Sequence, residues 1–99
     1  MDHIHLSKRL QAISSFIEAG ERVADIGTDH AFLPIYLVQQ RINFAIASDI
    51  GAGPVAIAKQ NVADAGLTAQ ISVRQADGLA SIMPDDAIST VVIAGMGGQ

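Results

Sequence analysis

Cysteine is absent from the chain, which excludes a disulfide framework and any zinc site built on thiolates. A reducing, cytoplasmic setting is compatible with that absence. Basic charge is scarce as well. Six Lys and Arg face ten Asp and Glu for a formal net charge of −4, and the pI is near 5.0, so the charge balance announces no nucleic-acid surface. Any RNA partner would have to be held by basic residues lying elsewhere. No apolar run approaches the ~20 residues of a membrane span. The N-terminus, Met1-Asp2-His3-Ile4-His5, lacks the basic-then-apolar order of a secretory signal. The chain therefore reads as soluble and away from membranes. His3 and His5 alternate with no cysteine beside them, and no metal site is expected. Internal repeats and low-complexity tracts are also missing.

What is present is a strongly apolar single domain or part of one: 99 residues, 49% of them hydrophobic, with a mean hydropathy of +0.35. Parallel sheets covered on both faces need near-continuous apolar strands, which accounts for that composition. Residues 6–19 place Leu6, Leu10, Ile13, Phe16 and Ile17 at helical spacing and predict an amphipathic helix closed by Gly20. Its Lys8 and Arg9 read as solvated charges.

Strand one is predicted at 22–26, and a helix with Pro34 in its first turn begins near Phe32 or Leu33. Phe44–Ser48 is a second buried strand ending on Asp49, and a helix opened by Pro54 runs to about Ala65, where Gly66 caps it. Ile71–Arg74 forms strand three, a brief helix covers Leu79–Met83, and Pro84-Asp85-Asp86 turns the chain. Ala87–Ala94 is a fourth strand that enters Gly95-Met96-Gly97-Gly98. Strands alternating with helices predict a parallel, doubly wound α/β sheet, and right-handed crossovers give the order 3-2-1-4 with strand four as an apolar edge. Residues 1–20 are thus an N-terminal helical segment, and 21–99 the first half of a larger Rossmann-like domain.

The chain is organised around Val23-Ala24-Asp25-Ile26-Gly27-Thr28-Asp29-His30-Ala31, a short apolar strand entering a tight turn that carries carboxylates. Gly27 lets the backbone turn sharply or approach a ligand, and Asp29 is positioned to cap the next helix. A dinucleotide fingerprint would read Gly-x-Gly-x-x-Gly. Here Asp29 and Phe32 replace the second and third glycines. A pyrophosphate would meet carboxylates at this turn, whereas a cofactor with a cationic centre suits it; S-adenosylmethionine, a sulfonium without phosphate, is such a cofactor.

In open α/β sheets the ligand lies beyond the carboxyl ends of the strands, where strand order reverses. Asp25 and Gly27 close strand one, Asp49 closes strand two, Asp77-Gly78 follows strand three and Gly95-Met96 follows strand four. Asp49 stands 22 residues after Gly27, close to the spacing at which an acid accepts from ribose hydroxyls. Asp77 can accept from an adenine amino group, with Gly78 leaving room for the ring. Thr28 in the turn and Ile50 beside Asp49 complete the set assigned to the cofactor. His30 is a candidate base, although a histidine flanking a helix start is more often a structural residue. Met96 reads as packing or as backbone pressed against a ligand.

Leu6-Ser7-Lys8-Arg9-Leu10, Ala24 to Pro34, Asp77-Gly78-Leu79 and Ile93-Ala94-Gly95-Met96-Gly97-Gly98 together resemble the bacterial tRNA (adenine-N1)-methyltransferase family that acts on adenosine 22, known as TrmK. The resemblance covers essentially the whole chain. It implies a Rossmann-like class I methyltransferase fold using S-adenosylmethionine, with an appended helical C-terminal domain that helps hold tRNA. Phe32 stands where many relatives have Tyr, so a hydroxyl is lost and a ring kept. The implied chemistry moves positive charge from sulfur to the adenine ring as N1 attacks, and a carboxylate near the base stabilises that charge. Asp29 is the first catalytic candidate and His30 the second. Gly95 to Gly98 would line the transfer site, and Phe32 either stacks the base or is plain core.

Two other readings compete. A nicotinamide-dependent oxidoreductase is opposed by the missing glycines and by Asp29. A non-catalytic half-domain would neither close a pocket nor bind RNA.

Overall fold

The computed structural model describes residues 6–93. His3, His5, Gly95, Met96, Gly97 and Gly98 lie outside the described residues.

Four parallel strands, β1 (Arg22–Ile26), β2 (Phe44–Asp49), β3 (Ile71–Gln75) and β4 (Thr90–Val92), form one sheet in the order β3-β2-β1-β4. Arg22 aligns with Phe44 and Ile26 with Ser48 between β1 and β2, while Val23 aligns with Thr90 between β1 and β4. Asp49 aligns with Gln75 between β2 and β3, so the carboxyl ends of β1, β2 and β3 reach a common level. The expected order and polarity are those observed. Among the described residues, β4 pairs only with β1.

Three helices, α1 (Lys8–Ser14), α2 (Phe32–Gln40) and α3 (Ala52–Asp64), cover one face. Val23, Ala45, Ala47, Ile71 and Val92 meet Leu33, Leu37, Ala58 and Val62 there, together with Leu6 and Ile17 at the two ends of α1. Removing one of the Val, Leu or Ile side chains among them from water is worth roughly 1.5–3 kcal/mol. The alternating strand residues Ala24, Ile26 and Ile46 pack on the other face against Ile82 and Ile88 of the β3–β4 connection. Residues of period two thus feed two separate cores, as strand pleating requires.

Element ends follow local chemistry. Pro34 sits in the first turn of α2, where its missing N–H removes no intrahelical bond. At the end of α3, Gly66 (φ +73) donates its amide to Ala63 O and Leu67 donates to Val62 O, each over 3.0 Å. Leu67, packed against the core cluster that contains Val62, completes this helix stop.

Three expectations are corrected. The first helix ends at Ser14 rather than residue 19, because the hydroxyls of Ser14 and Ser15 bond back to the carbonyls of Gln11 and Ala12. Phe16 consequently leaves the helical face and is 84% exposed. The stretch after strand three is two 3-10 turns, Gly78–Ser81 and Pro84–Asp86. Strand four begins at Thr90 rather than Ala87, since Ala87 adopts a left-handed φ of +52 that no strand accommodates.

Candidate cofactor and substrate site

Among the described residues, positive φ values are most concentrated in the turn after β1. Gly27, Asp29 and Ala31 all have positive φ, at +76, +61 and +63, and the two non-glycine residues cost roughly 1–2 kcal/mol each in that region. Surrounding elements hold the conformation. Asn61 of α3 donates its side-chain amide to His30 O over 2.8 Å, and Asp29 N–H donates to Asp49 Oδ2 of β2 over 3.3 Å. Ala31 N–H donates back to Thr28 O.

This geometry corrects the cap assigned to Asp29. The residue before α2 is Ala31, with no side-chain cap bond; Asp29 Oδ2 instead lies 3.2 Å from His30 Nδ1. The His30 ring stacks on Phe32, with centroids 5.1 Å apart and planes at 20°. Phe32 is 38% exposed, which removes the plain-core reading of that ring.

Asp25, Gly27, Thr28, Asp29 and His30 line one cavity of about 430 Å3 with Phe32 and Leu33, and Ser7, Arg9 and Leu10 of the α1 region complete its wall. Asp25 is the buried carboxyl of the group, 5% exposed. Burial pushes its pKa up to about 7; the Thr28 hydroxyl, donating to Asp25 Oδ2 over 2.8 Å, opposes the rise and the negative charge of Asp49 adds to it.

Asp49 stands beside this cavity rather than in its lining. Its Oδ1 accepts from Gly51 N–H over 3.0 Å while Oδ2 accepts from Asp29, so one carboxylate joins the β1 turn to the start of α3. Ile50 projects outward, 65% exposed, and its carbonyl accepts from the Gln75 side chain. Asp77 and Gly78 follow on β3, which Ala76 ties to Asp49 O over 3.0 Å. Gly78 has φ +55 and nothing within 4 Å of where a Cβ would stand, so the space beside it is open. The predicted residues therefore form an enclosed part at the end of β1 and an open shelf over β2 and β3.

The sequence reading missed Ser7, Arg9, Leu10 and Asn61. A helix that precedes β1 and returns the chain to its start places its own first turn at the strand's far end. That topology was the available signal for Arg9.

The chain matches the family described as methyltransferase domain over residues 6–99. It is 48% identical to the tRNA (adenine(22)-N(1))-methyltransferase of Bacillus subtilis over 99 residues, covering 99% of this chain and 41% of that protein. The crystal structure of the B. subtilis m1A22 tRNA methyltransferase TrmK is similar at a TM-score of 0.89, over 96% of this chain and 41% of the other. M. capricolum TrmK, in complex with S-adenosyl-homocysteine, is 43% identical with a TM-score of 0.83, over 89% of this chain and 40% of that one. The chain thus spans about two fifths of the length of the relatives it matches.

Proposed function

This chain belongs to the methyltransferase-domain family, and from that premise we propose that it forms the cofactor-binding part of an S-adenosylmethionine-dependent enzyme methylating N1 of adenosine 22 in tRNA. The observation that carries the reading is the electrostatics of the β1 turn. Asp25 and Asp29 line the cavity and Asp49 adjoins it, while the amides of Gly27 and Thr28 both donate to Ser48 O at 2.8 and 2.9 Å. A dinucleotide pyrophosphate would need those amides and would be repelled by the carboxylates. A cationic ligand is favoured by both facts, which also weighs against the nicotinamide reading. The B. subtilis relative supports the choice of tRNA and of the adenine position, and the M. capricolum complex supports the cofactor.

When bound, the cofactor supplies an electrophilic methyl group on a sulfonium. Asp49, which keeps acceptor capacity on both oxygens, would hold ribose hydroxyls. Ile50 offers an exposed apolar surface to the adenine ring, Asp77 an acceptor for its amino group, and the open space at Gly78 room for the ring edge. Gly27 and Thr28 shape the enclosed end around Asp25. Gly95 and Met96 are assigned to the transfer site on sequence alone.

Asp29 would stabilise positive charge developing on the target base, because its carboxylate borders the cavity on a turn that β2 and α3 hold rigid. His30 orients that carboxylate through Nδ1, and its stack on Phe32 presents a flat apolar surface for a base. The test is methyl incorporation from labelled S-adenosylmethionine into tRNA by the whole protein. Incorporation at N1 of adenosine 22, lost when guanosine replaces it, is expected; equal incorporation into both transcripts, or none, overturns the reading.

A further inference from the structure

We propose that Asn61 is a positioning residue for the methyl-transfer step, its side-chain amide holding the turn from Asp29 to Ala31 in the conformation that presents the Asp29 carboxylate. The inference rests on the reading of Asp29 given above and adds a residue that stands outside the cavity lining. A carbonyl withdrawn from water needs a hydrogen-bond donor. In regular helix the amide of residue 34 would serve His30 O, four residues back, but residue 34 is proline and has no N–H. Asn61 of α3 supplies the donor instead, over 2.8 Å and from 31 residues away.

That bond restrains backbone that would otherwise relax. Ala31 has φ +63, a region that alanine leaves readily for negative φ. Without Asn61, His30 O can turn to water by rotation of the peptide between residues 30 and 31. The rotation carries His30 away from its contacts, the Asp29 carboxylate at 3.2 Å and the Phe32 ring on which it stacks. The strand side of the turn is held separately: Gly27 and Thr28 donate to Ser48 O, the Thr28 hydroxyl to Asp25, and the Asp29 amide to Asp49. Loss of Asn61 therefore misplaces the groups that face the base and spares those assigned to the cofactor. Asn61 does little for its own helix. It lies inside α3, between Ala58 and Val62 of the core, where asparagine is a poor helix former. A local misfit of this kind, bonded to a distant strained turn, is placed for the turn.

The experiment is methyl transfer from labelled S-adenosylmethionine to tRNA by the whole protein at saturating concentrations of both, with cofactor affinity read by calorimetry. The wild type is compared with Asn61→Ala, Asn61→Asp and Gln60→Ala. Alanine favours the helix, and aspartate keeps the size of the side chain but can only accept hydrogen bonds when ionised. Gln60, whose amide bonds to Asp64 on the exposed side of the same helix, controls for changes in α3 itself. In both Asn61 variants kcat is expected to fall by about tenfold to 100-fold, the range of a small misplacement at the reacting groups, with the cofactor Kd unchanged and Gln60→Ala matching the wild type. Unchanged kcat in either Asn61 variant, or a fall matched by an equal loss of cofactor affinity or by Gln60→Ala, overturns the assignment and leaves the proposed function standing. Unchanged kcat in Asp29→Asn, measured alongside, overturns the reading of Asp29 and this inference with it.

Discussion

Thr28 donates its hydroxyl to Asp25 across 2.8 Å, and both side chains are enclosed, at 9% and 5% exposure. The single donor does not compensate for burial, so Asp25 titrates near 7. A folded pKa above the unfolded value of 3.8 means that the native state retains a proton the unfolded state has lost. Stability from this group is therefore full below about pH 4 and declines as pH rises towards 7. Urea unfolding across that range should show the decline, bounded at about 4 kcal/mol, and Asp25→Asn should flatten it. Thr28→Val, which keeps the shape and removes the donor, should cost about 1–2 kcal/mol at pH 8.

Asp86 gives the opposite slope. Arg74 grips it with two nitrogens at 2.7 and 2.9 Å, and Met83 N–H adds a third bond at 2.7 Å. These bonds hold its pKa down to about 2. The pair stabilises the fold above the ordinary aspartate range, and the contribution is lost as pH falls from about 4 to 2. Acid unfolding of Asp86→Asn should lose that component of the slope, with the change confined to this window.

Much of this architecture was legible because strand residues such as Val23, Ile46 and Ile71 are punctuated by Asp25, Gly27, Asp49 and Gly78. Apolar runs and turn residues act through neighbours in sequence, and so reveal strand order and strand ends. The rest depends on contacts distant in sequence. Nothing near Asp29 reveals that its amide is held by Asp49 and that His30 O is held by Asn61, 31 residues away. Arg9 resembles any solvated helix charge until the fold brings it into the lining of the same cavity as Asp25. The early end of α1 was readable in principle, from two consecutive serines able to bond backwards.

Asp29→Asn separates charge from conformation. Asparagine tolerates left-handed backbone as well as aspartate does, so urea unfolding should move by no more than about 0.5 kcal/mol. In the whole protein, kcat for tRNA methylation should fall by about 100-fold. An unchanged kcat would leave Asp29 a purely structural residue.

Asp49→Ala removes the carboxylate that accepts from both Gly51 and Asp29. Affinity for S-adenosylmethionine should drop by about tenfold or more, through lost ribose contacts and a loosened turn. Calorimetry reads the drop directly, and unchanged affinity would take Asp49 out of the site.

Titrating the chain with S-adenosylmethionine and with NADH decides whether the strand ends within these 99 residues form a site for a cationic, phosphate-free cofactor. Saturable binding of S-adenosylmethionine and none of NADH is the predicted result. Binding of NADH, or no binding of S-adenosylmethionine, would contradict it.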